Sequence, residues 1–329
     1  MSARSVPGDR PPIRSRFDAL NALRRYGIAA VFVTLVLTMA IVSPQFRTQG
    51  NALNLLQQNA IIGILACAMT FAIILGGFDL SVGANAALCS VVAARLMIDV
   101  NISVGIVGAL VAGLIVGLVN GLLIAYVGVN PFVSTLGTMT VVRGLVYVST
   151  NATPLFGVDF AFTRVGLGRS FGVPNSFWIF LVVAAVLAVL LGQTRFGHYI
   201  YAIGGNATAA RQMGIDVKRT KLLVHALIGV CAAISGIILV GQTATGQPAG
   251  ALGYELTAIG AVIVGGATLS GGFGNLLSTI IGVFLLGVVS NALNLFGVSP
   301  FWQPVATGSI LIAAVAIDSA AARSALLAR

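Results

Sequence analysis

Ten stretches of this chain are apolar over lengths that suit burial in a membrane: Tyr26 to Ser43, then about 59–76, 80–98, 103–126, 132–150, 176–192, 222–242, 255–266, 275–293 and 301–317. A helix that crosses the hydrocarbon core needs about 20 predominantly apolar residues. Some of the stretches are short or interrupted, so the expected number of spans is about ten. The first is long for a signal peptide and lacks a small-x-small cleavage pattern, and it reads as an uncleaved first helix.

Composition closes off the soluble alternatives. Apolar residues make up 58% of the chain and charged residues 8%, and mean hydropathy is +1.02. A soluble domain carries about a quarter charged residues. Soluble enzymes, nucleic-acid binders and disulfide-stapled modules are excluded, and the expected fold is an all-α polytopic membrane bundle with Gly-broken segments. Cys67, Cys89 and Cys231 lie within apolar runs with no ligand-like spacing, so neither a disulfide framework nor a metal site is implied.

The net charge of +10 carries orientation, because Lys and Arg stay on the cytoplasmic side. Arg4, Arg10, Arg14, Arg16, Arg24 and Arg25 precede the first run, Arg195, Arg211, Lys218, Arg219 and Lys221 share one polar interval, and Arg323 and Arg329 close the chain. With the N-terminus inside, six spans return the chain to the cytoplasm at 193–221, and four more bring the C-terminus inside. Span parity and charge placement thus agree on an N-in, C-in topology. The expected organisation is a basic tail at 1–25, disordered or lying on anionic lipid, a transmembrane domain at 26–318 and a short tail at 319–329. Residues 151–175 form a Gly/Pro-containing outside loop.

The inside loop at 193–221 is the most informative polar stretch. Asn206 or Thr208 can cap a helix starting near Ala207, and Gly214 suits the position that stops it. A short helix on the cytoplasmic face fits docking into a soluble partner, and it equally fits an amphipathic connector resting on lipid. Four segments then carry a resemblance: GGFDLSVG at 76–83, NPFVSTLGTMTVVRG at 130–144, GGNATAARQMGIDVKRTK at 204–221 and VGGATLSGGFGN at 264–275. In this order they resemble the permease subunits of sugar-type ABC importers, the ribose/xylose/arabinose/galactose group, with similarity from about residue 50 to 317.

The resemblance implies a multi-pass protein of the bacterial inner membrane that carries a monosaccharide by alternating access. It implies three protein partners: a cytoplasmic ATPase with tandem nucleotide-binding domains, a periplasmic sugar-binding protein, and a second permease copy in a homodimer or a heterodimer with a close paralogue. Asn206, Ala209, Ala210, Arg211 and Gly214 are the expected ATPase-coupling residues, the small ones giving close approach and Arg211 a polar anchor. No cofactor is implied. The chain has no Gly-Lys-Ser/Thr phosphate loop, so ATP hydrolysis falls to the partner, and His198 and His225 stand in no catalytic arrangement. The rival is an ion-coupled secondary transporter, which also uses broken helices and would need Asp79 as its ion-binding carboxylate.

The chain also repeats itself. Residues 74–83 align with 263–272, and 128–132 with 297–301, although the spacing between the two motifs differs by about one span, which leaves the symmetry open. Gly/Pro-broken segments in two halves mark the site region of many transporters. The candidate path or gate residues are therefore Gly76, Gly77, Asp79, Ser81, Asn85, Arg143, Gly265, Gly266 and Ser270. Asp79 and Arg143 are ionisable groups at membrane depth, and pairing between them competes with interfacial snorkelling of the arginine. Asn120 and Asn291 suit interhelical hydrogen bonds. Glu255, the only Glu, suits either a helix cap or contact with the binding protein. Most of the 40 glycines, including Gly113, Gly117 and Gly121, suit close helix packing.

The topology is testable by single-cysteine labelling in a Cys-free background. A thiol at position 211 is expected to react only from the cytoplasmic side. Labelling of that position by an impermeant reagent in intact cells overturns the orientation and the coupling assignment with it.

Overall fold

In a computed structural model, residues 13–327 are described; Arg4, Arg10 and Arg329, and with them much of the basic N-terminal tail, lie outside the described residues. The helices are α1 (Ile13–Val42), α2 (Gln49–Ile74), α3 (Val82–Asp99), α4 (Ile102–Leu122), α5 (Pro131–Thr150), α6 (Thr163–Gly166), α7 (Asn175–Gln193), α8 (Arg195–Gly205), α9 (Ala207–Gln212), α10 (Val217–Thr243), α11 (Tyr254–Val264), α12 (Leu276–Leu295) and α13 (Trp302–Leu327). The two-residue strands β1 (Arg169–Ser170) and β2 (Val173–Pro174) pair antiparallel in the loop before α7. The fold is an all-α bundle of membrane type. Among the described residues seven helices are long and apolar enough to cross a membrane: α2, α3, α4, α5, α7, α10 and α12.

The boundaries follow local chemistry. Asn101 caps α4, and Asn130 caps α5 with Pro131 in its first turn, where the missing N–H costs nothing. α4 ends in a π-helical turn, Leu123–Val127. α8 went unforeseen in the 193–221 loop. Thr194 starts it, the Oγ1 accepting from Gly197 N, and a single residue separates it from α9. The eighth expected span is shorter than its apolar run. α11 has 11 residues and rises about 16 Å, roughly half of a ~30 Å hydrocarbon core.

Packing sorts the helices by side-chain size. The second part of α2, from Ala60 to Ile74, is apolar on almost every side and lies at the centre, with Phe71, Ile64, Leu65 and Met69 fully buried, as a hydrophobic stretch of this kind must. α4 instead shows Val104, Val107, Val111, Ile115 and Val119 to the outside and buries Gly105, Ala109, Gly113, Gly117 and Gly121. In lipid a large apolar residue gains nothing by turning inward, whereas small residues let two backbones approach. A Cβ on Gly113 would sit 2.5 Å from Gly229 O of α10, and one on Gly117 would collide with His225 O. Asn51 and Asn291 bond each other reciprocally, at 3.1 and 2.7 Å, and join α2 to α12.

The α4–α10 seam sets a stability test. Gly113→Val has no room and is expected to cost at least the 1–3 kcal/mol of ordinary overpacking, whereas Gly137→Val on α5 meets open space. Thermal unfolding of the two purified variants in detergent checks this. Equal midpoints would mean that the seam does not hold the bundle together.

Candidate functional site

Three helix breaks at 75–81, 244–253 and 265–275 supply the site, because each leaves backbone groups that lipid cannot satisfy. The first break turns on Gly76 at φ +90°, a left-handed conformation that a Cβ would strain. It buries Asp79, which is 1% exposed. Oδ1 of Asp79 accepts from Ser81 N at 2.8 Å and Ser81 Oγ at 2.6 Å. Asn120 Nδ2, from α4, donates to Asp79 Oδ2 at 3.3 Å and to Ser81 Oγ at 2.9 Å. His225 Nδ1, from α10, lies 3.1 Å from Asp79 Oδ2. Asn120 and His225 are themselves buried. The carboxylate therefore fastens the α2–α3 turn to two further helices.

This arrangement corrects the pairing of Asp79 with Arg143. Arg143 Nη1 instead donates to Pro248 O and Gly250 O, both at 3.0 Å. Those carbonyls belong to the second break, an unwound stretch that leads into α11. Gly246 lies against Val91 and Ala94, Gln247 N donates to Ser90 Oγ at 3.1 Å, and Ala251 O faces Gly83. The segment thus descends α3 from residue 94 to residue 83, about 16 Å at 1.5 Å per residue, and α11 continues from its lower end. Glu255 is buried against Gly83 with Oε2 unpaired among the described residues, so it offers nothing to an external partner. Asn85 donates to Gly113 O at 3.2 Å and joins α3 to α4.

The third break meets the first. Gly272 N donates to Ile74 O at 2.8 Å, and a Cβ on Gly271 would lie 2.9 Å from Gly76 Cα. The two Gly-Gly motifs therefore stand at one end of the bundle, with Pro131 beside Gly77. Pro300 and Phe301 follow α12 at the other end. The repeats are not equivalent in detail. Ser81 is buried on Asp79, whereas Ser270 is exposed. Gly265 packs on Ser278 of α12, and Gly266, at φ +89°, is exposed.

α8 closes this junction. Tyr201 Oη donates to Gly274 O at 2.8 Å, and burial holds its phenol above the ordinary value, so it remains a donor. A Cβ on Gly204 would strike Ile74 O and Gly272 N. α9 follows at once. Asn206 Oδ1 caps it, accepting from Thr208 N and Ala209 N at 3.0 Å each, and Gly214 ends it at φ +83°. Ala210 packs inward with Ile203, Val217 and Leu75. It cannot also touch a partner, which corrects its expected role. Ala209, Arg211 and Gly214 are exposed, and so is Met213, at 83%.

Sequence reasoning singled out the Gly doublets and Asp79 but set His225 aside. A histidine within an apolar run is itself a sign of a buried partner. It also missed the unwound stretch before α11, whose sign is the cluster Gly246, Pro248, Gly250 and Gly253.

Residues 51–315 match the family described as "Branched-chain amino acid transport system / permease component". The chain is similar to the ribose import permease protein RbsC of Escherichia coli, 40% identical over 97% of this chain and 99% of that protein. It is likewise similar to the ribose import permease protein RbsC of Bacillus subtilis, 42% identical over 93% and 95%. The L-arabinose transport system permease protein AraH of Escherichia coli is 39% identical over 97% of each chain. No solved structure matches the chain.

The Asp79–His225 pair makes a quantitative prediction. Removing one partner of a buried hydrogen bond costs about 1–3 kcal/mol, and more where the group left behind is charged. Asp79→Leu and His225→Leu are each expected to lower the thermal midpoint strongly, and the double variant by no more than the worse single one. Additive losses in a double-mutant cycle would show that the two side chains act independently.

Proposed function

The chain belongs to this family of transport-system permease components, and from that premise we propose that it is the membrane-spanning subunit of an ABC importer carrying ribose or a similar monosaccharide. Transport, not catalysis, is the work of the family, and the chain is no enzyme. The observation that carries the substrate class is identity of about 40%, along nearly the whole chain, to permeases named for ribose and arabinose. The family description names branched-chain amino acids, but the full-length likeness to pentose permeases is the more specific guide.

In this reading about ten helices cross the bacterial inner membrane with both termini in the cytoplasm. α9 then lies on the cytoplasmic face and meets a separate ATPase with tandem nucleotide-binding domains. A periplasmic binding protein delivers the sugar, and a second permease copy completes the path. The exposed side of α9, with Ala209, Arg211 and Met213, faces the ATPase groove. Its buried residue Ala210 forms an apolar cluster with Ile203 of α8, and Gly204 of α8 abuts Gly272, so ATPase closure pulls on the 265–275 loop. Both Asp79 oxygens are already engaged by protein donors, which leaves the ion-coupled alternative without its ligand.

The test is a bulky side chain on the exposed side of α9. Gly214 is unsuitable, since its φ of +83° would strain any other residue. Ala209→Trp is expected to leave the bundle folded, to weaken co-purification of the ATPase about ten-fold or more, and to abolish ATP-dependent ribose uptake in proteoliposomes. Retention of both would overturn the coupling assignment.

A further inference from the structure

We propose that the open cavity lined by α2, the end of α10, α11, α12 and α13 is a holding chamber for one monosaccharide, an inference that rests on the sugar-importer reading above. Its volume is about 460 Å³, within the range of roughly 300–1,000 Å³ typical of small-molecule sites. The polar lining consists of four carboxamides, Gln58, Asn59, Gln242 and Gln303, and four hydroxyls, Tyr254, Thr257, Ser290 and Thr307. Among the described residues, no carboxylate, ammonium, guanidinium or imidazole lines it. Carboxamides and hydroxyls each donate and accept, as the hydroxyls of a neutral polyol require. An ionic solute would find no counter-charge there.

Gln58 and Asn59 stand where the polar first part of α2 meets its apolar run, and both line the cavity. Apolar surface is present too, from Leu286 and Leu311, to meet the C–H faces of a sugar ring.

The chamber also has a floor. Toward the Gly-Gly junction, Gly260 rests against Leu286 and Leu311, Gly282 against Ala261 O, and Gly265 against Ser278 O. Thr70 and Thr279 share a hydrogen bond of 2.9 Å across α2 and α12. The α11–α12 seam is thus shut on the side where Tyr201 and Gly204 hold the 265–275 loop. A solute in the chamber is retained until α8 and α9 move that loop.

The test uses the whole transporter in proteoliposomes, with its ATPase and binding protein. Ser290→Phe fills the chamber, and Gln58→Leu removes an amide at nearly constant volume. Both are expected to cut ribose uptake about ten-fold or more while ATPase co-purification and the thermal midpoint stay at wild-type values. Should Ser290→Phe fail to fold, Gln58→Leu and Gln303→Leu decide. Uptake at the wild-type rate in the folded variants overturns the chamber and leaves the sugar-importer reading standing. A wild-type complex that carries neither ribose nor arabinose overturns both. Mass spectrometry that finds a co-purified lipid displaced by Ser290→Phe, with ribose uptake intact, makes the cavity a lipid site and also overturns the proposal.

Discussion

Backbone groups freed by broken helices have no water to turn to inside a bilayer, and the bundle is organised around satisfying them. Each of the three breaks has its own solution. At 75–81, Asp79 accepts from Ser81 N and is itself held from α4 and α10. At 244–253, the Arg143 guanidinium takes two carbonyls and Ser90 pairs with Gln247. At 265–275, Gly272 donates to Ile74 O and Gly274 accepts from Tyr201. These demands account for Asp79, Asn120, Arg143, Ser90 and Tyr201.

This explains what the sequence could and could not disclose. Helix positions follow from apolar runs, and all ten runs coincide with helices, because an apolar run in this composition has few alternatives. The Asn206 cap and the Gly214 stop were legible for a similar reason: both depend only on neighbours in the chain. The partners of Asp79 and Arg143 were not legible. Asp79 meets His225 across 146 residues and Arg143 meets Gly250 across 107, and one sequence without contacts cannot select between one polar group at membrane depth and another. Ala210 failed for a different reason. A helix of six residues has an inner and an outer face, and composition alone does not say which small residue lies on which.

The same shortage of polar groups separates two kinds of polar cluster. Asp79, Ser81, Asn120 and His225 are buried and bonded to one another, so they serve position. Around Gln58 and Ser290 the carboxamides and hydroxyls line a space instead; Gln242 and Gln303 each donate one bond within the protein, to Gln57 O and Asn294 Oδ1, and their amide oxygens stay free to accept. Counting polar residues in apolar runs would rank the first cluster above the second as a solute site. Geometry reverses the order, because a group whose hydrogen bonds are spent within the protein has little left for a passing solute.

The two Gly-Gly motifs differ in a way that gives the junction a direction. Asp79 ties the first to α3, α4 and α10. Its counterpart by alignment, Thr268, makes only bonds within its own loop, Thr268 N to Phe273 O at 3.2 Å and Thr268 Oγ1 to Gly271 O at 3.1 Å. The neighbouring Gly266, Leu269 and Ser270 are exposed, and segments with few buried contacts open at the lowest cost. The α2–α3 turn is therefore the fixed side and the α11–α12 loop the movable one. In the coupling proposed for α9, a push from α8 and α9 would meet a braced turn on one side and a loop held mainly by Gly272 N, Tyr201 and close glycine contacts on the other. Displacement would then fall on the second, and the seam beside this loop is the floor beneath the polar cavity.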